Sequence, residues 1–137
     1  MTSDYISTSL RKLITKRASN RCEYCLVNQD FSIYTHEIDH IIAVKHSGET
    51  NANNLAFSCL SCNRYKGSDF ATIDQATKEI VPLYNPRIQI WHEHFYIENA
   101  RIIGKTQIGQ ATTRLLQLNI KNRVLQRQAL ISQGQYP

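Results

Sequence analysis

Two cysteine pairs constrain this chain more than any other feature. Cys22-Glu23-Tyr24-Cys25 and Cys59-Leu60-Ser61-Cys62 each leave a two-residue gap, and 33 residues separate the pairs. Such a gap lets two thiolates from one tight turn reach the same ion. Two turns of this kind complete a closed tetrahedral shell, which suits structural zinc. Disulfides and a redox CxxC are the other uses of these residues. The first needs an oxidising compartment, and the second needs a βαβ context that the surrounding pattern lacks. With zinc bound, everything between the pairs is looped back onto the segment that follows Cys59.

The chain has 137 residues, a length that suits one domain. The beginning, Met1-Thr2-Ser3-Asp4-Tyr5, lacks a basic start followed by an apolar run, so no secretory leader is expected. No apolar stretch approaches the ~18 residues of a membrane span. A reducing, cytoplasmic setting without membrane is therefore the expectation.

Charge is distributed unevenly around the net of +5. Residues 1–21 carry Arg11, Lys12, Lys16, Arg17 and Arg21 against Asp4, a net of +4. Residues 22–98 carry a net of −5, and residues 99–137 hold Arg101, Lys105, Arg114, Lys121, Arg123 and Arg127 with no acid, a net of +6. This layout fits a cation-binding middle and flanks that grip a polyanion. Charge alone also allows ordinary solvated surface, the lesser of the two readings.

The apolar spacing predicts a helix over 7–19, capped by Ser7 or Ser9, with Leu10, Leu13, Ile14 and Ala18 on its inner stripe and Asn20 as a left-handed stop. Residues 31–42 read as strand, in one piece or two, followed by a polar loop over 46–54. A short strand over 55–58 and a helix over 60–66 stopped by Gly67 come next. Partial alternation over 88–97 with residues 101–105 suggests a hairpin turning at Glu98-Asn99-Ala100. Thr106 caps a helix with Ile108, Ala111, Leu115 and Leu118 on one side. Asn119 breaks that helix or opens a second through Ile120, Val124 and Ile131, and residues 132–137 are expected to fray.

Between the cysteine pairs stand His36-Glu37-Ile38-Asp39-His40-Ile41-Ile42 and Asn54-Leu55, and Asn63-Arg64-Tyr65-Lys66-Gly67 follows Cys62. The staple brings Asp39-His40, near a strand end, beside the helix that carries Asn63. Cleaving a phosphodiester needs a nucleophile, neutralised phosphate charge and a stabilised leaving oxygen. An imidazole titrates near neutrality and can take a proton from water. Mg2+ tolerates a sparse shell of one or two oxygen ligands plus waters and phosphate. Asp39 offers a carboxylate oxygen and Asn63 an amide oxygen. Asn54 can tie the loop ends through backbone hydrogen bonds and hold the His40 ring. Glu37 lies on the same strand face as Asp39 and could support the metal or His40; His36 lies on the other face and reads as structural. Arg64 and Lys66 could contact phosphate or simply be helix-surface charge. His92 and His94 read as packing residues beside Trp91 and Phe95, and Tyr24 and Tyr65 as packing around the staple.

These residues resemble the HNH endonuclease motif, the ββα-metal fold, in its zinc-stapled four-cysteine branch. The resemblance covers roughly residues 19–68, with residues 69–137 as a C-terminal extension of a single domain 1–137. It implies an α+β fold: a ββα core with a zinc staple, an N-terminal helix, and a C-terminal hairpin and helices. It implies His40 as general base, Asp39 as metal ligand, Asn54 as the middle asparagine holding the loop, and Asn63 in the final position that many members fill with His. That HNN variant implies Mg2+ or Mn2+ in catalysis beside Zn2+ in structure. Ala43 departs from the family, where many members have Pro. The implied activity is one-metal hydrolysis of DNA, duplex above all, leaving 5′-phosphate and 3′-hydroxyl ends. The alternatives are a non-catalytic zinc-ribbon nucleic-acid-binding module and a zinc-dependent interaction protein. On this reading Cys59→Ser loses zinc and stability, whereas Asp39→Ala keeps both and loses only cleavage.

Overall fold

Helix α1 (Thr8–Arg17) starts where Ser7 accepts a hydrogen bond from the Leu10 amide, and it ends in left-handed residues at Ser19 and Asn20. The computed structural model describes residues 5–137; residues 1–4, where the leader reading begins, lie outside the described residues. Ile14 is fully buried and packs with Leu55 and Phe57, flanked by Leu10, Ala18 and Ile38. Leu13 does not join them and is 48% exposed. Arg17 completes the inner contact instead, donating to the carbonyls of Ala52 (2.9 Å) and Leu55 (2.7 Å).

Strand content over residues 31–42 is shorter than expected. Only β1 (Glu37–His40) is strand; Gln29–Phe31 is a 3-10 turn held by the Asn28 side chain. β1 pairs antiparallel with β2 (Leu55–Ser58), register Glu37 to Ser58 and His40 to Leu55. All four residues of β2 are buried. An alternating strand buries one face; β2 is covered by α1 on one side and by the cysteine region on the other. Helix α2 (Leu60–Lys66) follows after one residue, Cys59, whose sulfur caps it by accepting from the Cys62 amide, and Gly67 closes it at φ 53°. β1, β2 and α2 thus form a ββα unit.

The connecting loop is held close. The Gly48 amide donates to Ala43 O at 3.0 Å, and a Cβ on Gly48 would stand 1.7 Å from Ile42 O. No side chain fits there, which gives this glycine a steric reason.

The extension contains a hairpin that the sequence pattern did not indicate, β3 (Ala71–Ile73) with β4 (Ile80–Pro82). Asp74 fastens its turn by accepting from the Ala76 and Thr77 amides. The alternation over 88–97 is strand only at its end. Residues Trp91–His94 make one helical turn, α3, which drives Trp91 into the core, where its indole N–H donates to Tyr24 O. The expected hairpin is β5 (Phe95–Glu98) with β6 (Arg101–Gly104), turning through Asn99 and Ala100, both left-handed. Helix α4 (Gln107–Leu115), capped by Thr106, lies against β6; its Gly109 passes so near His94 O that a Cβ would meet it at 2.0 Å. Helix α5 (Lys121–Ser132) closes the chain.

The inward face of α5 corrects the sequence reading. Arg123, Arg127 and Leu130 are its buried residues, while Ile131 is exposed. Arg127 donates to Ala100 O and Leu118 O, each at 2.7 Å. Nor is the end a frayed tail: Tyr136 is buried, and its hydroxyl donates to Cys25 O at 2.8 Å. The main apolar cluster joins Cys22, Tyr24 and Cys25 to Trp91, Phe95, Leu116, Leu118, Leu130 and Tyr136. Among the described residues no helix is long and apolar enough to cross a membrane.

Candidate active site and metal centre

All four cysteines are free thiols, buried, with their sulfurs within 4.8 Å of one another. At a zinc–sulfur distance of ~2.3 Å, sulfurs on a tetrahedron stand about 3.8 Å apart, so the cluster has the right size and donor chemistry for zinc. Both turns already point amides at sulfur: Cys22 Sγ accepts from the Tyr24 and Cys25 amides, and Cys59 Sγ from the Cys62 amide, each at 3.4 Å. Burial pushes the Cys22 and Cys62 thiols up, whereas hydrogen bonds from the neighbouring cysteines hold Cys25 well down. The first turn is also bound to β2. The Glu23 amide donates to Phe57 O, its carboxylate accepts from the Phe57 amide, and Arg87 pairs with that carboxylate.

Across the groove between β1 and α2, side chains meet two by two. Glu37 and Asp39 share a strand face because their spacing is two. Asn63 and Lys66 share a helix face because theirs is three. Asn63 Nδ2 lies 3.3 Å from Glu37 Oε1, and Lys66 Nζ lies 3.3 Å and 3.2 Å from the two Asp39 oxygens. Asp39 is 4% exposed and Lys66 1%, so Lys66 is an internal cation and not a phosphate contact at the surface. It also donates to the carbonyls of His40 (3.2 Å) and Ile41 (3.1 Å). Arg64, one position off that face, is exposed.

Tyr24 completes this arrangement from the first cysteine turn, its hydroxyl donating to Asp39 Oδ2 at 2.8 Å. Burial above all, then the Asp39 charge, holds the Tyr24 phenol well above its ordinary value, so it stays a neutral donor. Burial likewise raises the Asp39 carboxyl, against the pull of Lys66 and Tyr24. A carboxylate has about four acceptor directions. Tyr24 takes one on Oδ2 and Lys66 one on Oδ1, its other two N–H going to the His40 and Ile41 carbonyls, so the carboxylate keeps acceptor capacity for a further ligand. With Glu37 and Asn63 nearby the donor set is all oxygen, which matches a hard divalent ion. The contact partner of Asn63 is Glu37 and not Asp39, so Glu37 sits closer to this set than the motif alone implied.

His40 points to the other face of β1. Its Nε2 lies 2.8 Å from Thr50 Oγ1. Asn54 ties the loop by accepting from the Ile42 amide (2.9 Å) and donating to Ile42 O (2.9 Å) and Glu49 O (2.8 Å). The hydrogen-bond partner of the His40 ring is thus Thr50, where Asn54 was expected. His36 is buried against Phe57 with Nε2 2.9 Å from Val27 O, as a structural residue should be. His94 packs on Tyr84 and meets Thr106; His92 is exposed at the edge of Trp91. Tyr65 is 43% exposed and does not pack around the staple.

Three participants were not foreseen: Tyr24 as the partner of Asp39, Thr50 as the partner of His40, and Arg123. The last reaches across 61 residues to place Nη2 2.9 Å from Cys62 Sγ and 3.6 Å from Cys59 Sγ. Tyr24, inside the first CxxC, had a local signal in its position. Thr50 and Arg123 had none, since loop closure and helix docking decide what they touch.

Comparison with known proteins bears on the same segment. Residues 22–69 match the family model described as HNH endonuclease. The Septu protein PtuB of Bacillus thuringiensis is 27% identical over 124 residues, covering 89% of this chain. The chain spans about half the length of that relative, 46%. No solved structure matches.

Proposed function

With an HNH endonuclease domain at residues 22–69 as premise, we propose that this chain is a metal-dependent DNA endonuclease with His40 as its general base. The observation that carries the reading is that Glu37 and Asp39 face Asn63 and Lys66 of the packed helix, while His40, next in the same short strand, turns to the opposite face against Thr50. A cysteine cluster that would become a closed shell with zinc joins the start of that helix to the first cysteine turn, whose Tyr24 donates to Asp39.

Asp39 and Asn63 would hold the hard ion, Mg2+ or Mn2+, with Glu37 in support. When bound, such an ion polarises the phosphate and stabilises the departing oxygen. The remaining work falls to side chains. Thr50 Oγ1 occupies Nε2 of His40, which leaves Nδ1 as the ring nitrogen that would take the proton. His40 takes a proton from water as the water oxygen attacks phosphorus in line. The bond from phosphorus to the 3′-oxygen breaks, and that oxygen gains a proton from solvent. The products are 5′-phosphate and 3′-hydroxyl ends. Tyr24 and Lys66 hold the Asp39 carboxylate, and Asn54 fixes the loop that carries Thr50. Arg64 remains as a phosphate contact, joined by the exposed Arg11, Lys12 and Lys16 of α1. The free thiols and the absence of a membrane-crossing helix among the described residues are compatible with a reducing, cytoplasmic setting.

Incubation with supercoiled plasmid tests the proposal. Mg2+ or Mn2+ should convert the plasmid to open-circular or linear DNA, and chelation should stop this. Salt-sensitive binding without cleavage in either metal would leave a zinc-stapled nucleic-acid-binding module in its place.

A further inference from the structure

A zinc ion bound by four thiolates carries a net charge of about −2. Here that charge would be buried, with Cys22 and Cys62 0% exposed, Cys25 1% and Cys59 8%. A buried charge is tolerated when it is paired and hydrogen-bonded. The amides of the two turns supply part of that pairing. The cation comes from far along the chain: Arg123, itself 4% exposed, directs Nη2 at Cys62 and Cys59 while Nη1 donates to Leu116 O at 2.8 Å. It lies outside the segment that matches the family model. Close by, Tyr136 seals the first turn through Cys25 O.

We propose that Arg123 is part of the zinc site. Its guanidinium neutralises the tetrathiolate, so that docking of α5 and retention of zinc depend on each other. Without the ion nothing fixes the four sulfurs as one cluster for the buried guanidinium to pair with. Helix α5 then gives up the contact that holds its first turn. Linkage makes the effect reciprocal: whatever undocks α5 must weaken zinc by the same factor. The inference rests on the reading of the four cysteines as a zinc site and is independent of the nuclease reading.

The test uses the purified full chain with its zinc content measured first; a wild-type protein without zinc would refute the zinc reading itself. Zinc transfer to 4-(2-pyridylazo)resorcinol is then followed in wild type, Arg123→Met, Arg123→Lys and Arg127→Met. Loss of a side chain that supports metal ligands typically weakens metal binding about 10–100-fold, and Arg123→Met should release zinc faster by a factor of that order. Arg123→Lys, which keeps the charge, should fall between. Arg127→Met, which loosens the docking of α5 through its carbonyl contacts but touches no sulfur, should speed release less than Arg123→Met. Equal rates in Arg123→Met and wild type, or equal acceleration by both Met variants, would overturn the charge pairing. If Arg123→Met does not fold, wild type supplies the readout. Chelation should open tryptic cleavage after Arg123 and Arg127, giving fragments that begin at Val124 and Gln128. Cleavage there unchanged by chelation would overturn the coupling.

Discussion

Asp39 carries two demands on one side chain. As a candidate metal ligand it needs an open acceptor direction; as the partner of buried Lys66 it neutralises a charge that has no other carboxylate in contact among the described residues. Removing one member of a buried pair strands the other. Asp39→Ala should therefore lower folding stability by about 3–5 kcal/mol, read from the denaturant midpoint, which reverses the expectation that only cleavage would suffer. The double variant Asp39→Ala with Lys66→Met should recover part of that loss. A single variant as stable as wild type would mean that the ammonium finds water instead. Thr50 offers a milder test. Its hydroxyl sets which His40 nitrogen is free, so Thr50→Val should keep the fold and slow cleavage about tenfold, the worth of one good hydrogen bond. An unchanged rate would free His40 from Thr50.

At the scale of elements, the parts that could be read in advance are those whose signals are local. The bounds of α2 follow from a cysteine cap and Gly67, and β2 from three apolar residues and a serine between an asparagine and a cysteine. The hairpin β5–β6 follows from its turn residues. β3 and β4, three residues each, are too short to show a period. The alternation over 88–94 was misleading because one helical turn can bury Trp91 as well as a strand could. In α5 the apolar count pointed the wrong way, since arginine is counted as surface and here turns inward to carbonyls and sulfur. Of the site, the residue types were legible and their partnerships were not. Register across β1 and α2 decides that Glu37 meets Asn63 and Asp39 meets Lys66. Ala43, where the resemblance to the HNH motif leads one to expect proline, has φ −61°, the value a proline ring would fix. Ala43→Pro should raise stability by about 0.4–1 kcal/mol by restricting the unfolded chain. A loss of stability would show that the Ala43 amide is needed in the loop.

Across the whole molecule, the basic flanks divide into two populations. Arg123 and Arg127 are buried and spent on carbonyls and sulfur, Arg17 and Arg114 donate to carbonyls from less buried positions, and Arg87 pairs with Glu23. Arg11, Lys12, Lys16, Arg21, Arg101 and Lys121 are exposed and remain for a polyanion, while Lys105 donates to His92 O. Each exposed cation that contacts duplex phosphate should contribute about 0.9 to the slope of log affinity against log salt. Replacing Lys12 and Lys16 together by Gln should thus flatten the slope measured by DNA retention, by up to about two if both are contacts. An unchanged slope would move the DNA away from α1. The central claim concerns His40, half-buried on a strand whose fold does not depend on its ring. Its most direct test is the rate of plasmid cleavage in Mg2+ by His40→Ala, run beside wild type after zinc content and unfolding midpoint are shown to match. Loss of a general base should slow cleavage about 10²–10⁴-fold; a rate equal to that of wild type would mean that His40 is not the base and that the cleavage has another source.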